Sequence, residues 1–104
     1  MGKCKITVVK RAFDKELTDK YREEHNLGSG FGVCDMFKDG EVFISKGEFG
    51  GEMPDGFCSG AWDSIDKYAA VIGGGGKLYN GVNKIVACCN DAYRPVSFLM
   101  EPAE

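Results

Sequence analysis

Polar and apolar residues alternate from Lys3 to Arg11, with Cys4, Ile6 and Val8 on one side of the chain and Lys5, Thr7 and Val9 on the other. That period of two predicts a half-buried strand, which opens a sheet. The period then changes. Phe13, Leu17 and Tyr21 fall at i, i+4 and i+8 behind Asp14, a good N-cap residue, and Glu16 with Lys20 and Lys20 with Glu24 have ion-pair spacing. An amphipathic helix is predicted, ending near His25, because Asn26-Leu27-Gly28 offers the left-handed residues that close a helix.

After a loop at Gly28-Ser29-Gly30-Phe31-Gly32 and the stretch Cys34 to Phe37, Lys38-Asp39-Gly40-Glu41 reads as a turn into a strand over Val42 to Ser45. Lys46 to Gly51 holds three glycines around Phe49 and predicts only a bend or short strand. Met53-Pro54-Asp55-Gly56 suits a type I turn with Gly at its fourth position. A second helix is expected over residues 59–72, with Ser59 as N-cap and Trp62, Ile65, Ala69 and Ile72 as its apolar stripe. Gly73 to Gly76 ends it and makes a flexible connection.

Lys84 to Cys89 is apolar on both faces after Lys84, the mark of a central strand. Asn90 to Tyr93 turns the chain into a last strand, Pro95 to Met100, whose leading proline suggests the sheet edge or the start of a strand. Only Glu101 to Glu104 reads as a disordered tail. The pattern predicts one α+β domain over residues 1–104: two helices packed on one antiparallel or mixed sheet of four to five strands. The second helix should lie across the strand at 84–89, bringing Cys58 and Trp62 toward Cys88 and Cys89.

Composition narrows the function classes. With 43% hydrophobic residues in 104, the chain has material for one core. A net charge of −3 offers no electrostatic footprint for nucleic acid. No apolar run approaches the ~20 residues that span a bilayer, and the residues after Met1 form no apolar leader. Met1-Gly2 fails the myristoylation pattern because Ile stands at position 6. The reading is a cytosolic protein. Phe31, Phe37 and Phe49, in glycine-rich loops, would leave apolar surface that a homo-oligomer covers.

Five cysteines cannot all pair within one chain, and no Cys-x-x-Cys is present, so free thiols are expected. Cys58, at the start of a helix, faces unpaired N–H groups and the positive end of the dipole. It is either a reactive thiol or a small hydrophobe packed beneath Trp62. Cys88 and Cys89 are neighbours on a strand and point to opposite faces, so they do not readily bind one metal together. A metal site would need Cys34, Cys58 and Cys89, or Cys88 in place of Cys89, with Asp91 or His25 completing the shell. Asp91 and Arg94 flank the last turn and either bind a small polar or anionic ligand or simply pair with each other. His25 reads as a helix C-terminal residue, with a Cys58–His25 catalytic pair as the functional alternative. The glycine runs at 28–32 and 73–76 both follow helices and read as connectors, not phosphate loops.

Two stretches, Met53-Pro54-x-Gly56-Phe57-Cys58-Ser59-x-Ala61-Trp62 and Cys88-Cys89-x-Asp91 followed by Arg94-Pro95-Val96, together with Lys10-Arg11 and Gly40-x-x-Phe43, resemble a family of small uncharacterised proteins of anaerobic bacteria and archaea. Gly60 stands where that family usually has a bulky residue, and Ala92 where it has glycine. The resemblance covers nearly the whole chain. It implies a soluble protein with Cys58 and Cys88-Cys89-x-Asp91 as hallmarks, and implies no particular activity.

The first reading of function is therefore a small binding or accessory protein. Its site would be lined by Cys58, Trp62, Cys88, Cys89, Asp91 and Arg94 and would hold a small molecule, a metal or a protein partner. The alternatives are a thiol enzyme or redox protein with Cys58 as nucleophile, and a structural thiolate metal site. The absence of a written acid/base constellation favours the first. No cofactor is named by any motif.

Overall fold

A computed structural model describes residues 2–103; Met1 and Glu104, the two ends of the leader and tail readings, lie outside the described residues. The elements are β1 (Cys4–Arg11), α1 (Lys15–Tyr21), β2 (Val42–Ile44), α2 (Ser59–Gly73), β3 (Ile85–Cys88) and β4 (Val96–Pro102). The four strands form one antiparallel sheet in the order β2-β1-β4-β3, and the architecture is the expected two-helix α+β fold. No helix among the described residues is long and apolar enough to cross a membrane.

The alternation in β1 sets the inner face: Cys4, Ile6 and Val8 are buried, as are Val96, Phe98 and Met100 on β4. α2 covers that face with Ala61, Ile65, Ala69 and Ile72. Trp62 sits at the rim of the stripe, half-buried and edge-on to Phe57 with ring centroids 6.1 Å apart. Asp14 caps α1 as expected, its carboxylate accepting from the Leu17 N–H at 2.9 Å, and Asn26 takes the left-handed conformation at φ 58°. The helix proper stops at Tyr21, four residues before His25, and continues as turns. Its ion pairs differ from the expected ones. Asp19 is held by Lys15 at 2.6 Å and by Arg22 at 2.8 Å, and these two partners keep its carboxyl below the usual range.

Several expectations are corrected by the sheet order. β3, apolar on both faces, lies at the edge and not the centre, and Val86 and Cys88 face outward and exposed. β4 is central, so of the two readings of Pro95, sheet edge or strand start, the second holds. Pro95 precedes the strand, where its missing N–H costs nothing, and its carbonyl accepts from Ala12. Glu101 and Pro102, expected in a tail, pair with Lys5 and Cys4. The N-cap of α2 is Cys58, one residue before Ser59, and it makes no side-chain capping bond. The reversal before α2 is also shifted by one residue: Phe57 N–H reaches Pro54 O, with Gly56 third in the turn at φ 77°. Left-handed φ at that position is what a type II turn requires of glycine.

Of the phenylalanines expected at the surface, only Phe49 is exposed. Phe31 is half-buried, and Phe37 is 2% exposed at the centre of an aromatic cluster.

Cys4 shows how burial governs a thiol. Fully buried on the inner face, its pKa is pushed up from 9.0 to about 12, chiefly by desolvation. In the unfolded chain the same thiol ionises near its ordinary value, so above that pH the unfolded state sheds a proton that the folded state keeps. The stabilisation is complete below about pH 9 and declines as pH rises toward 12. Urea midpoints taken from pH 8 upward should therefore fall more steeply for the wild type than for Cys4→Ala, whose overall stability is lower but whose alkaline slope is flatter. Parallel slopes would remove Cys4 as the cause.

Candidate functional site

The β1–β4 ladder does not stop at the ends of the strands. Ala12 N–H donates to Pro95 O at 2.9 Å and Asp14 N–H to Tyr93 O at 2.8 Å, so the start of α1 is stitched to the turn that leads into β4. This places the outer side of α1 against Asn90 to Tyr93. Between them lies an open cleft of about 640 Å³ lined by Leu17, Tyr21, His25, Leu27, Phe31, Asn90, Asp91, Ala92 and Tyr93.

Four aromatic rings wall the cleft, and each is held by another. Tyr21 and His25, one helical turn apart, stack with centroids 4.9 Å apart and planes 13° from parallel. His25 Nδ1 meets the Tyr93 hydroxyl at 2.5 Å, so one of these two groups donates to the other according to the imidazole tautomer. Phe31 stands edge-on to Tyr93 at 5.9 Å. The Arg94 guanidinium lies over the Phe31 ring, 4.4 Å from its centroid, a cation–π contact.

The polar rim is internally satisfied. Asp91 Oδ1 accepts from the N–H groups of Tyr93 at 3.0 Å and Arg94 at 3.4 Å, and Oδ2 pairs with Arg94 Nε at 3.2 Å. Asp91 thus fixes its own turn, and its charge is balanced locally. What the cleft presents is mainly apolar and aromatic surface with a few hydrogen-bonding groups: the imidazole, the phenol and the Asn90 amide.

The residues expected to form one site separate into three places. Asp91 lines the cleft, and Arg94 adjoins it, stacked on the Phe31 ring. Cys58, Trp62 and Cys89 lie on the inner face, half-buried against the core. The α2 start and the β3–β4 turn do approach: a Cβ on Gly60 would lie 3.9 Å from Cys58 Sγ and 3.8 Å from Asn90 Oδ1. Cys89 is committed structurally, its sulfur accepting from the Val96 N–H at 3.3 Å. Cys88 points to the other face of the sheet and is exposed, as the alternation of a strand requires.

All five cysteines are unpaired. Among the described residues no three His, Cys, Asp or Glu side chains come together as a metal-binding group, so Cys34, Cys58 and Cys89 are not assembled into one. Cys34 contributes its carbonyl to Arg11 instead. The polar neighbours of His25 are Tyr93 and Glu24, not Cys58.

Sequence reasoning missed the walls of the cleft. The one usable signal was local: Tyr21 and His25 are at i, i+4, and the His25 N–H to Tyr21 O bond keeps that one-turn relation just past the end of the helix. Nothing in the spacing joins them to Tyr93, which arrives through the extended β1–β4 pairing, or to Phe31, which packs on Tyr93 from the loop. No protein-family model, curated protein or solved structure matches this chain.

Proposed function

We propose that this is a small cytosolic binding protein whose ligand is a flat, largely uncharged small molecule held between α1 and the Asn90 to Tyr93 turn. The observation that carries the reading is the cleft itself: about 640 Å³, walled by four mutually braced aromatic rings and three aliphatic side chains. Small-molecule sites fall in the range of roughly 300–1,000 Å³ and combine apolar walls with a few placed polar groups. Because Asp91 and Arg94 neutralise each other, the rim does not favour a strongly charged ligand. The Tyr93 hydroxyl, the His25 imidazole and the Asn90 amide provide orientation. The Tyr93 hydroxyl and the His25 imidazole are engaged with each other and braced by Phe31 and Tyr21, which is why binding, and not turnover, is the activity proposed.

A second reading keeps Cys58 as a reactive thiol. It rests on the position of Cys58 as N-cap of a fifteen-residue helix with its side chain free of any capping bond.

One experiment addresses both readings. A library of planar heteroaromatic and saturated fragments is titrated against the labelled protein by two-dimensional NMR. Planar members are expected to shift the resonances of Tyr21, His25, Phe31 and Tyr93 together, and Tyr21→Ala should weaken them by about tenfold or more, the loss of one aromatic wall. Cys58→Ser should leave binding unchanged. Shifts centred on Cys58 and lost in Cys58→Ser would move the site to the thiol, and a library that leaves the four aromatics unmoved would end the cleft reading.

A further inference from the structure

The helix α2 packs on the inner face of the sheet, and the outer face is uncovered. Register makes that face regular. One row crosses all four strands as Val42, Thr7, Leu99 and Val86, since Thr7 pairs with Val42 and with Leu99, and Leu99 pairs with Val86. The next row reads Ile44, Lys5 and Glu101 by the same pairings. Val42, Ile44 and Val86 are 49%, 44% and 59% exposed, so both edge strands present open apolar side chains on this face. Among the described residues Lys5 and Glu101 make no ion pair within 4.0 Å, although they sit directly opposite each other on the central strands.

We propose that a second copy of this chain docks on this outer face about a two-fold axis that runs parallel to the strands between β1 and β4. Such an axis exchanges the positions of β1 and β4, and those of β2 and β3, in the facing sheet. Lys5 then lies over Glu101 of the other copy and Glu101 over its Lys5, which gives two ion pairs from two residues that are unpaired in the single chain. Thr7 meets Leu99 twice, and Val42 at one edge meets Val86 at the other. A face that matches itself under one rotation, in charge as well as in apolar contact, is what an isologous dimer needs. Two twisted sheets packed this way lie about 10 Å apart with strands crossing at about −30°, the aligned arrangement of β-sandwiches. It also accounts for the apolar outward side of β3, an exposed edge strand that sequence alone marks as buried on both faces.

The decisive experiment is a charge swap read by sedimentation equilibrium across a wide concentration range, with circular dichroism to verify folding. The wild type should dimerise. Lys5→Glu and Glu101→Lys should each weaken the dimer by about tenfold or more, because each places two like-charge contacts at its centre, and the double variant should recover most of the loss. Val86→Lys, at a position too exposed to unfold the chain, should weaken it too. A wild type that stays monomeric at every concentration would overturn the proposal. So would a dimer that survives both single reversals, since it would be using another surface.

Discussion

Phe37→Ala should cost about 3–5 kcal/mol of folding stability, the range for deleting a fully buried aromatic side chain. That is a large part of the roughly 5–15 kcal/mol that a domain of this size commands, and corresponds to a fall in melting temperature on the order of 20 °C. The reason lies in the company the ring keeps. Phe37 is 2% exposed and meets Phe43, Phe57 and Phe98 edge-on, with centroids 5.8, 5.0 and 5.1 Å away. Phe57 in turn touches Phe43 and Phe98, so Phe37 closes a cluster whose members orient each other. A loop residue reaches this depth because Arg11, at the end of β1, ties the loop down. Its guanidinium donates to the carbonyls of Cys34 and Phe37 at 2.9 and 3.1 Å and to the Asp39 carboxylate at 3.0 Å. The neighbouring Met36 is 56% exposed and serves as the internal control. Met36→Ala should change stability by no more than about 0.5 kcal/mol. Thermal denaturation followed by near-ultraviolet circular dichroism distinguishes the two. Equal effects of the two substitutions would mean that the loop is not anchored by its phenylalanine.

Phe37 also marks where the sequence stops being readable. A phenylalanine three residues before Gly40 has the local surroundings of a surface loop, and its burial depends on Arg11, twenty-six residues away. By contrast, β1 was legible because alternation over eight residues is a local signal, and so was the core stripe of α2 at Ile65, Ala69 and Ile72. The edge placement of β3 was not. Apolar residues on both faces of a strand say that both faces meet something apolar, and they do not say whether that something is the same chain. The candidate site divides along the same line. Asp91 and Arg94 are three residues apart, and their pairing follows from turn geometry alone. The aromatic walls come from α1, the glycine-rich loop and the β3–β4 turn, and only the extension of the β1–β4 ladder to Asp14 and Tyr93 brings them together. The cysteines divide in the same way. Strand alternation predicts that Cys88 and Cys89 face opposite sides of the sheet, and they do, whereas the gathering of Cys58, Cys88 or Cys89, Asp91 and Arg94 into one site depended on how α2 and the last turn pack, which no local spacing encodes.

Gly73→Ala is the second substitution with a large expected effect, and it acts against local propensity. Gly73 is the last residue of α2 and is buried, and alanine there should favour the helix by up to about 1 kcal/mol. Yet a Cβ at this position would lie 2.0 Å from Phe49 O, 2.8 Å from Phe49 C and 3.2 Å from Gly50 Cα. All three are backbone atoms, so no rotamer change makes room. The helix end must lift or the turn at Phe49 and Gly50 must move. That turn has little freedom: Gly50 has φ 72°, and a Cβ on it would lie 2.6 Å from Ser45 Oγ and 3.1 Å from Lys3 Cα. Ser45 is itself fixed to β1, accepting from Cys4 N–H at 2.9 Å and donating its own N–H to Cys4 O at 2.9 Å. The glycine that reads as part of a flexible connector is therefore where α2, the turn after β2 and the start of β1 meet in close backbone contact. Overpacking of this kind costs about 1–3 kcal/mol, and with no side chain able to yield the cost should lie at the upper end, which leaves a net loss of about 2 kcal/mol after the propensity gain. Gly30→Ala, where a Cβ meets nothing within 4 Å, should be nearly neutral. Denaturant titrations of the pair decide the matter. If Gly73→Ala is as stable as the wild type, the approach of α2 to the turn is looser than the structure places it, and helix propensity governs that position.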